Sequence, residues 1–153
     1  MQDQLVLAID NDSDLKKMLH QFLSLCSLSL NSTNGHIFLI KDNNNNPTYQ
    51  TDKNNKILLN HYVSFPMKKN GLLSSKDKNL SILVNQFFQN NSNSNSNTQE
   101  QQVESTLYHF FKIGDFGVLT IERKQSLDEA IQNALTPVLK KLAISTISAI
   151  NHH

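Results

Sequence analysis

The chain has 153 residues and a formal net charge of +1, a length that suits one domain with its own core and a charge that provides neither a basic stripe for nucleic acid nor an acidic tail. The single cysteine, Cys26, excludes a disulfide framework and an all-cysteine metal site, and it suits a reducing, cytoplasmic setting. No apolar run reaches the length that spans a bilayer, and Met1-Gln-Asp-Gln4 lacks the basic start of a secretory signal, so neither membrane nor nucleic acid is an expected partner.

Leu5 to Ile9 reads as a short helix closed by Asp10-Asn-Asp12. Ser13 is placed to cap a firmer helix from Asp14 to about Leu28, in which Leu15, Met18, Leu19, Phe22, Leu23 and Cys26 recur at helical spacing. That spacing makes Cys26 a core residue rather than a nucleophile. After the breaker run Asn31 to Gly35, His36 to Lys41 reads as a central strand, apolar on both faces. A polar turn and a short strand, Thr48 to Thr51, follow. Lys56 to Phe65 then reads as a strand with Ile57, Leu59, His61, Val63 and Phe65 on one side, ended by Pro66. Leu80, Leu83, Val84, Phe87 and Phe88 return to helical spacing, which predicts an amphipathic helix over Lys78 to Asn90 lying across the strands. The chain holds about twenty asparagines, concentrated in 43–46 and 90–97. The tract Asn90 to Glu100 is too polar to contribute to a core and reads as a flexible loop.

The last fifty or so residues carry the sharpest local signals. Gly114-Asp115 between two apolar runs predicts a two-residue hairpin turn within Thr106 to Arg123. That register sets Ile113 opposite Phe116, Phe111 opposite Val118 and His109 opposite Thr120, with Phe110 opposite Leu119 and Tyr108 opposite Ile121 on the other face. Phe111 and Leu119 then lie on opposite faces of an interior hairpin. Ser126-Leu-Asp-Glu129 has the form of a capping box opening one long helix to about Ile150. Ile131, Leu135, Val138 and Leu142 form one stripe and Leu139, Ala143, Ile147 and Ile150 a neighbouring one. Pro137 is expected to kink or split the helix near Asn133.

Strands interrupted by a few helices, without βαβ alternation, point to an α+β domain covering 1–153, an antiparallel sheet flanked by long N- and C-terminal helices. The helix Asp14 to Leu28 followed by His36-Ile-Phe-Leu-Ile-Lys-Asp42, and Phe116-Gly-Val-Leu-Thr-Ile-Glu122 followed by Ser126-Leu-Asp-Glu129 and Leu135-Thr-Pro-Val-Leu-Lys-Lys-Leu-Ala143, resemble a GAF domain. The nearer likeness is to the GAF-like input segment of bacterial sensor histidine kinases. The resemblance implies a cytoplasmic sensory and dimerisation domain in a two-component signalling protein. It does not supply a ligand. The Asn-Lys-x-x-Phe-Asp signature of cyclic-nucleotide-binding members has no counterpart, Cys26 stands in the wrong element for bilin attachment, and the methionine sulfoxide reductases of this fold use several cysteines.

Four side chains are candidates for a small-molecule pocket between the sheet and the helix Lys78 to Asn90: His61, Tyr62, Tyr108 and His109. The alternative is that they simply fill the second face. His61 and His109 together invite a metal reading, but no acidic or cysteine partner recurs at metal spacing, so no metal site is expected and the cofactor stays unknown. There is no Gly-x-Ser-x-Gly turn and no phosphate-binding glycine loop, so no catalytic residue is assigned. The competing classes are a purely structural dimerisation module and a small α+β enzyme. Leu139, Ala143, Ile147 and Ile150 need a cover, supplied either by the helix Asp14 to Leu28 or by a second chain, and a homodimer is the expectation.

Overall fold

The computed structural model describes residues 4–6, 9, 14–51, 57–67, 75–90 and 97–152. Residues 4–6 and 9 are helical, with Leu5 and Ile9 in the core. The elements that follow are α1 (Leu15–Ser29), β1 (Asn34–Ile40), β2 (Leu59–Phe65), α2 (Ser75–Asn90), β3 (Thr98–Val103), β4 (Thr106–Ile113), β5 (Gly117–Arg123) and α3 (Glu129–Asn151). The strands form one antiparallel sheet in the order β2-β1-β5-β4-β3. β5 is therefore its centre, and every residue of it except Arg123 is buried. α1 lies over β1 and β2, and α3 over β4, on one face; among the described residues, α2 lies over the other.

α1 starts where Asp14, not Ser13, acts as N-cap, its carboxylate accepting from the Lys17 amide at 3.1 Å. Ser13 lies outside the described residues. The helix sits close to β1 because Gly35 has no side chain: a Cβ there would fall 2.5 Å from Ser27 Oγ and 2.9 Å from Leu23 Cδ1. Cys26 is buried among these residues, as its spacing predicts.

The hairpin β4–β5 closes through three residues, not two. Gly114 takes φ of +52°, Phe116 N donates to Ile113 O at 3.4 Å, and Ile113 stands opposite Gly117. Every pair therefore moves by one position from the expected register, so that Phe111 faces Leu119 and His109 faces Ile121. Phe111 and Leu119 share a face; both are buried.

A similar slip occurs in β2. Ile37 pairs with Val63 but Phe38 pairs with His61, leaving Tyr62 as the extra residue of a β-bulge. The five residues expected on one side are thus divided. His61 and Leu59 join the face of Phe38 and Ile40, while Val63 joins that of Ile37. The short strand expected at Thr48 to Thr51 is absent: Lys41 and Pro47 form an isolated bridge, and Thr48 N donates to Ile40 O at 3.1 Å.

β3 corrects the expectation of a loop to Glu100. Its residues, Thr-Gln-Glu-Gln-Gln-Val, are polar on both faces because they lie at a sheet edge, where neither face is covered and the backbone ladder to β4 supplies the cohesion. Of the Asn/Ser tract, 91–96 lies outside the described residues.

α3 begins at Glu129 and runs unbroken through Pro137 to Asn151, so the expected split near Asn133 does not occur. Asp128 is the N-cap and makes no side-chain capping bond, while the Ser126 hydroxyl donates to Glu100 Oε1 at 2.7 Å, tying the loop before α3 to β3. Leu135, Val138 and Leu142 are core, as expected. Leu139 and Ala143, expected on an uncovered flank, are already 8% and 9% exposed within the single chain, and Ile147 and Ile150 are half-buried against the same core.

A polar clip attaches α2 to the sheet. Asn85 Oδ1 accepts from Leu59 N at 2.8 Å and Asn85 Nδ2 donates to Leu59 O at 3.2 Å, so one amide serves both main-chain groups of a residue in the outermost strand. Asn85→Ala leaves both groups to find other partners at a buried position and is expected to cost about 1–3 kcal/mol. Urea denaturation gives the loss, and faster hydrogen exchange at the Leu59 amide locates it.

Candidate functional site

The face of the sheet beneath α2 carries a band of polar side chains across four strands. Alternation along β1 sends His36, Phe38 and Ile40 to this face, and along β5 Val118, Thr120 and Glu122. His36 stands opposite Thr120 on one side and Ser64 on the other, and Tyr108 of β4 stands opposite Glu122. The bulge in β2 brings in His61, whose ring lies edge-on to Phe38 at 5.3 Å.

Three of these side chains form a continuous hydrogen-bonded line. His61 Nε2 lies 3.1 Å from His36 Nδ1, and His36 Nε2 lies 3.3 Å from Glu122 Oε2. His36 and Glu122 are each 2% exposed; His61 is half-buried. An ionised carboxylate only accepts, which assigns a hydrogen to His36 Nε2. If His36 is neutral, its Nδ1 accepts and His61 Nε2 donates. Thr120 Oγ1, at the centre of the band, is buried and has no hydrogen-bond partner among the described residues.

The roof over this band is apolar and aromatic. Phe87 of α2 stacks on Phe110 at 5.4 Å, Phe110 in turn lies parallel to Tyr108 at 6.3 Å, and the Lys112 ammonium sits 5.9 Å from the centre of the Phe88 ring. A polar line on a central sheet face below aromatic rings is costly to bury without a use, because each group must be matched with partners.

Of the four side chains expected to line one pocket, His61 and Tyr108 lie on this face. Tyr62 and His109 do not. As the bulge residue, Tyr62 turns to α1, where Lys16 Nζ lies 5.5 Å from its ring centre; burial, then the nearby Asp14 carboxylate, raises its pKa. His109 points to the face covered by α1 and α3, with Nδ1 3.4 Å from Glu100 Oε2. His61 and His109 cannot share a metal, since two strands and the sheet itself separate them. Among the described residues no group of three or more His, Cys, Asp or Glu side chains is arranged to hold a metal ion. Burial pushes the Cys26 thiol up to about 12, so it stays protonated near neutrality.

His36, Thr120 and Glu122 are the residues of this band that periodicity overlooks. The available signal was a histidine and a glutamate inside Gly-His-Ile-Phe-Leu-Ile and Gly-Val-Leu-Thr-Ile-Glu, strands otherwise apolar enough to be central.

His109 gives a pH test. Burial lowers its pKa from the ordinary 6.5, outweighing the upward pull of Glu100 and of the Gln125 backbone, and Arg123 adds to the lowering. The unfolded chain then takes up a proton near pH 6.5 while the folded chain does not, so this residue's contribution to stability is intact above that pH and is lost as pH falls toward the depressed folded value. Melting temperatures measured across pH 5–8 should fall less steeply on the acid side for His109→Gln than for the wild type. Parallel curves would show that His109 titrates alike in both states.

No protein-family model matches the sequence, and no curated protein matches it. Among solved structures, the chain is similar to the crystal structure of the GAF domain from Acinetobacter phosphoenolpyruvate-protein phosphotransferase, with a TM-score of 0.67 and 15% identity over 99% of this chain and 93% of that one. No helix among the described residues is long and apolar enough to cross a membrane. An antiparallel sheet with two long helices on one face and a single helix over a polar band on the other, superimposable on that domain over nearly its whole length, gives this chain the GAF fold.

Proposed function

We propose that the domain is a sensory input and dimerisation module of a cytoplasmic signal-transduction protein, with a histidine kinase as its output. A small molecule bound on the α2 side of the sheet is the signal. The observation that carries this reading is the buried line His61–His36–Glu122 with Thr120 beside it. The opposite face, under two helices, is mostly apolar apart from His109 and Ser27, whereas this face carries a hydrogen-bonded polar line where apolar groups would pack at lower cost. Such groups recognise a ligand through hydrogen bonds, and the rings of Phe110 and Tyr108 on the sheet, with Phe87 of α2 stacked on Phe110, supply contact for an apolar body. His61 and Tyr108 remain ligand candidates, joined by His36, Thr120 and Glu122. Chemistry on a substrate belongs to the attached module.

A thermal-shift screen with a panel of small metabolites tests the proposal. A true ligand raises the melting temperature because it stabilises the folded state by RT ln(1 + [L]/Kd), about 2.7 kcal/mol at a hundredfold excess over Kd. The shift should vanish in Glu122→Gln. A panel-wide lack of effect, or a shift that Glu122→Gln retains, removes the site from this face and leaves the structural dimerisation module as the reading.

A further inference from the structure

The segment that joins β5 to α3, residues 124–128, is fastened to the sheet by side chains. Arg123 Nη1 donates to Ser126 O at 3.2 Å, the Ser126 hydroxyl donates to Glu100 Oε1 at 2.7 Å, and Leu127 is buried. The other oxygen of Glu100 lies 3.4 Å from Nδ1 of His109, so one exposed carboxylate joins the segment to a histidine that is only 2% exposed. The start of α3 depends on this fastening. Its N-cap, Asp128, makes no side-chain capping bond, and the Ile131 and Gln132 amides both donate to the Asp128 carbonyl, at 3.0 Å each.

We infer that residues 124–128 form an acid-released strap: the bond from Ser126 to Glu100 holds it shut beside the buried His109, and protonation of His109 lifts it and loosens the start of α3. The argument begins with the ring. A carboxylate only accepts, so His109 Nδ1 carries the hydrogen that faces Glu100, and an added proton must go to Nε2. That atom is buried and has no hydrogen-bond partner among the described residues, so a second N–H there is costly while the strap is shut and finds water once it lifts. Glu100 of β3 and Arg123 of β5 are the charged groups that act on the ring, with the Gln125 backbone, and among the described residues neither α1 nor α3 adds another. Burial outweighs the attraction of Glu100 and Gln125, so the shut form binds the proton less well than the lifted one. The advantage of the shut form is therefore complete above the ordinary 6.5 and shrinks as pH falls toward the lowered value. This input is independent of the polar band, which lies on the other face of the sheet.

Amide hydrogen exchange followed by NMR on the intact chain, corrected for the intrinsic rate at each pH, tests the strap. Protection of the Ile131 and Gln132 amides is expected to fall by at least about threefold between about pH 7.5 and about pH 5.5, while the amides of central β5 keep theirs. His109→Gln cannot take up the proton and should abolish that fall. Glu100→Gln and Ser126→Ala should lower protection at Ile131 and Gln132 already at neutral pH, because the strap has lost its fastening. Protection there that follows β5 at every pH overturns the strap, as does a fall that His109→Gln retains or a Glu100→Gln chain with wild-type protection. The wild type gives a further measurement that needs no variant to fold. Its His109 ring signals should titrate with the same midpoint as the change at Ile131 and Gln132, and unequal midpoints overturn the proposal.

Discussion

Truncating either Phe111 or Leu119 to alanine is expected to cost about 2–5 kcal/mol, because each is a fully enclosed side chain whose removal leaves a cavity under α3. The more informative quantity is the double variant. With a two-residue turn the two side chains would point to opposite faces and their losses would add. The three-residue turn sets them directly opposite on one face, so the second truncation enlarges a cavity already made, and the losses should depart from additivity by about 0.5–3 kcal/mol. Urea denaturation of the two single variants and the double variant measures the coupling. Additivity within experimental error would restore the shorter turn.

The buried pair on the other face should respond with the opposite logic. Glu122→Leu leaves the His36 ring without its carboxylate, and His36→Phe leaves the carboxylate without its ring; each is expected to cost about 3–5 kcal/mol. Changing both at once should recover much of the loss, because two apolar side chains of similar volume need no partners in that position. Denaturation curves for the three variants give the comparison, and a near-neutral Glu122→Leu would show that the pair carries little of the fold's stability. The double variant then separates folding from sensing: it should be stable and unresponsive to any ligand that shifts the wild type.

Much of the architecture was legible because buried positions impose their period on the sequence. α1, α2 and α3 show apolar residues at helical spacing, and β1 and β5 are mostly apolar and almost wholly buried, as central strands are. The misplaced features have local causes that hydropathy does not encode. β3 satisfies only backbone groups at an edge, so its side chains show no alternation. The bulge at Tyr62 and the extra turn residue at Phe116 each move a register by one, which sends side chains to the other face without changing a single residue type. Tyr62 and His109 are not beside His61 and Tyr108 because each pair is consecutive along one strand, where neighbours point to opposite faces. His36 and Glu122 lie 86 positions apart, and only the antiparallel pairing of β1 with β5 brings them together. Pro137 was overestimated as a breaker, since the packing of Leu135, Val138 and Leu142 holds α3 through the one missing hydrogen bond.

The amide of Asn85 has a consequence for the protein in a crowded solution. A strand at the margin of a sheet exposes hydrogen-bonding groups that any other extended chain can adopt, which is how soluble domains begin to form aggregates. At Leu59 those outward groups are occupied by a side chain that imitates a neighbouring strand and cannot be extended into one. The opposite margin, β3, relies on glutamine and glutamate, which favour solvent over a dry contact between molecules. Loss of Asn85 would therefore leave a domain with the same polar band but with a free margin, and its most visible defect would be turbidity on concentration rather than a failure to fold.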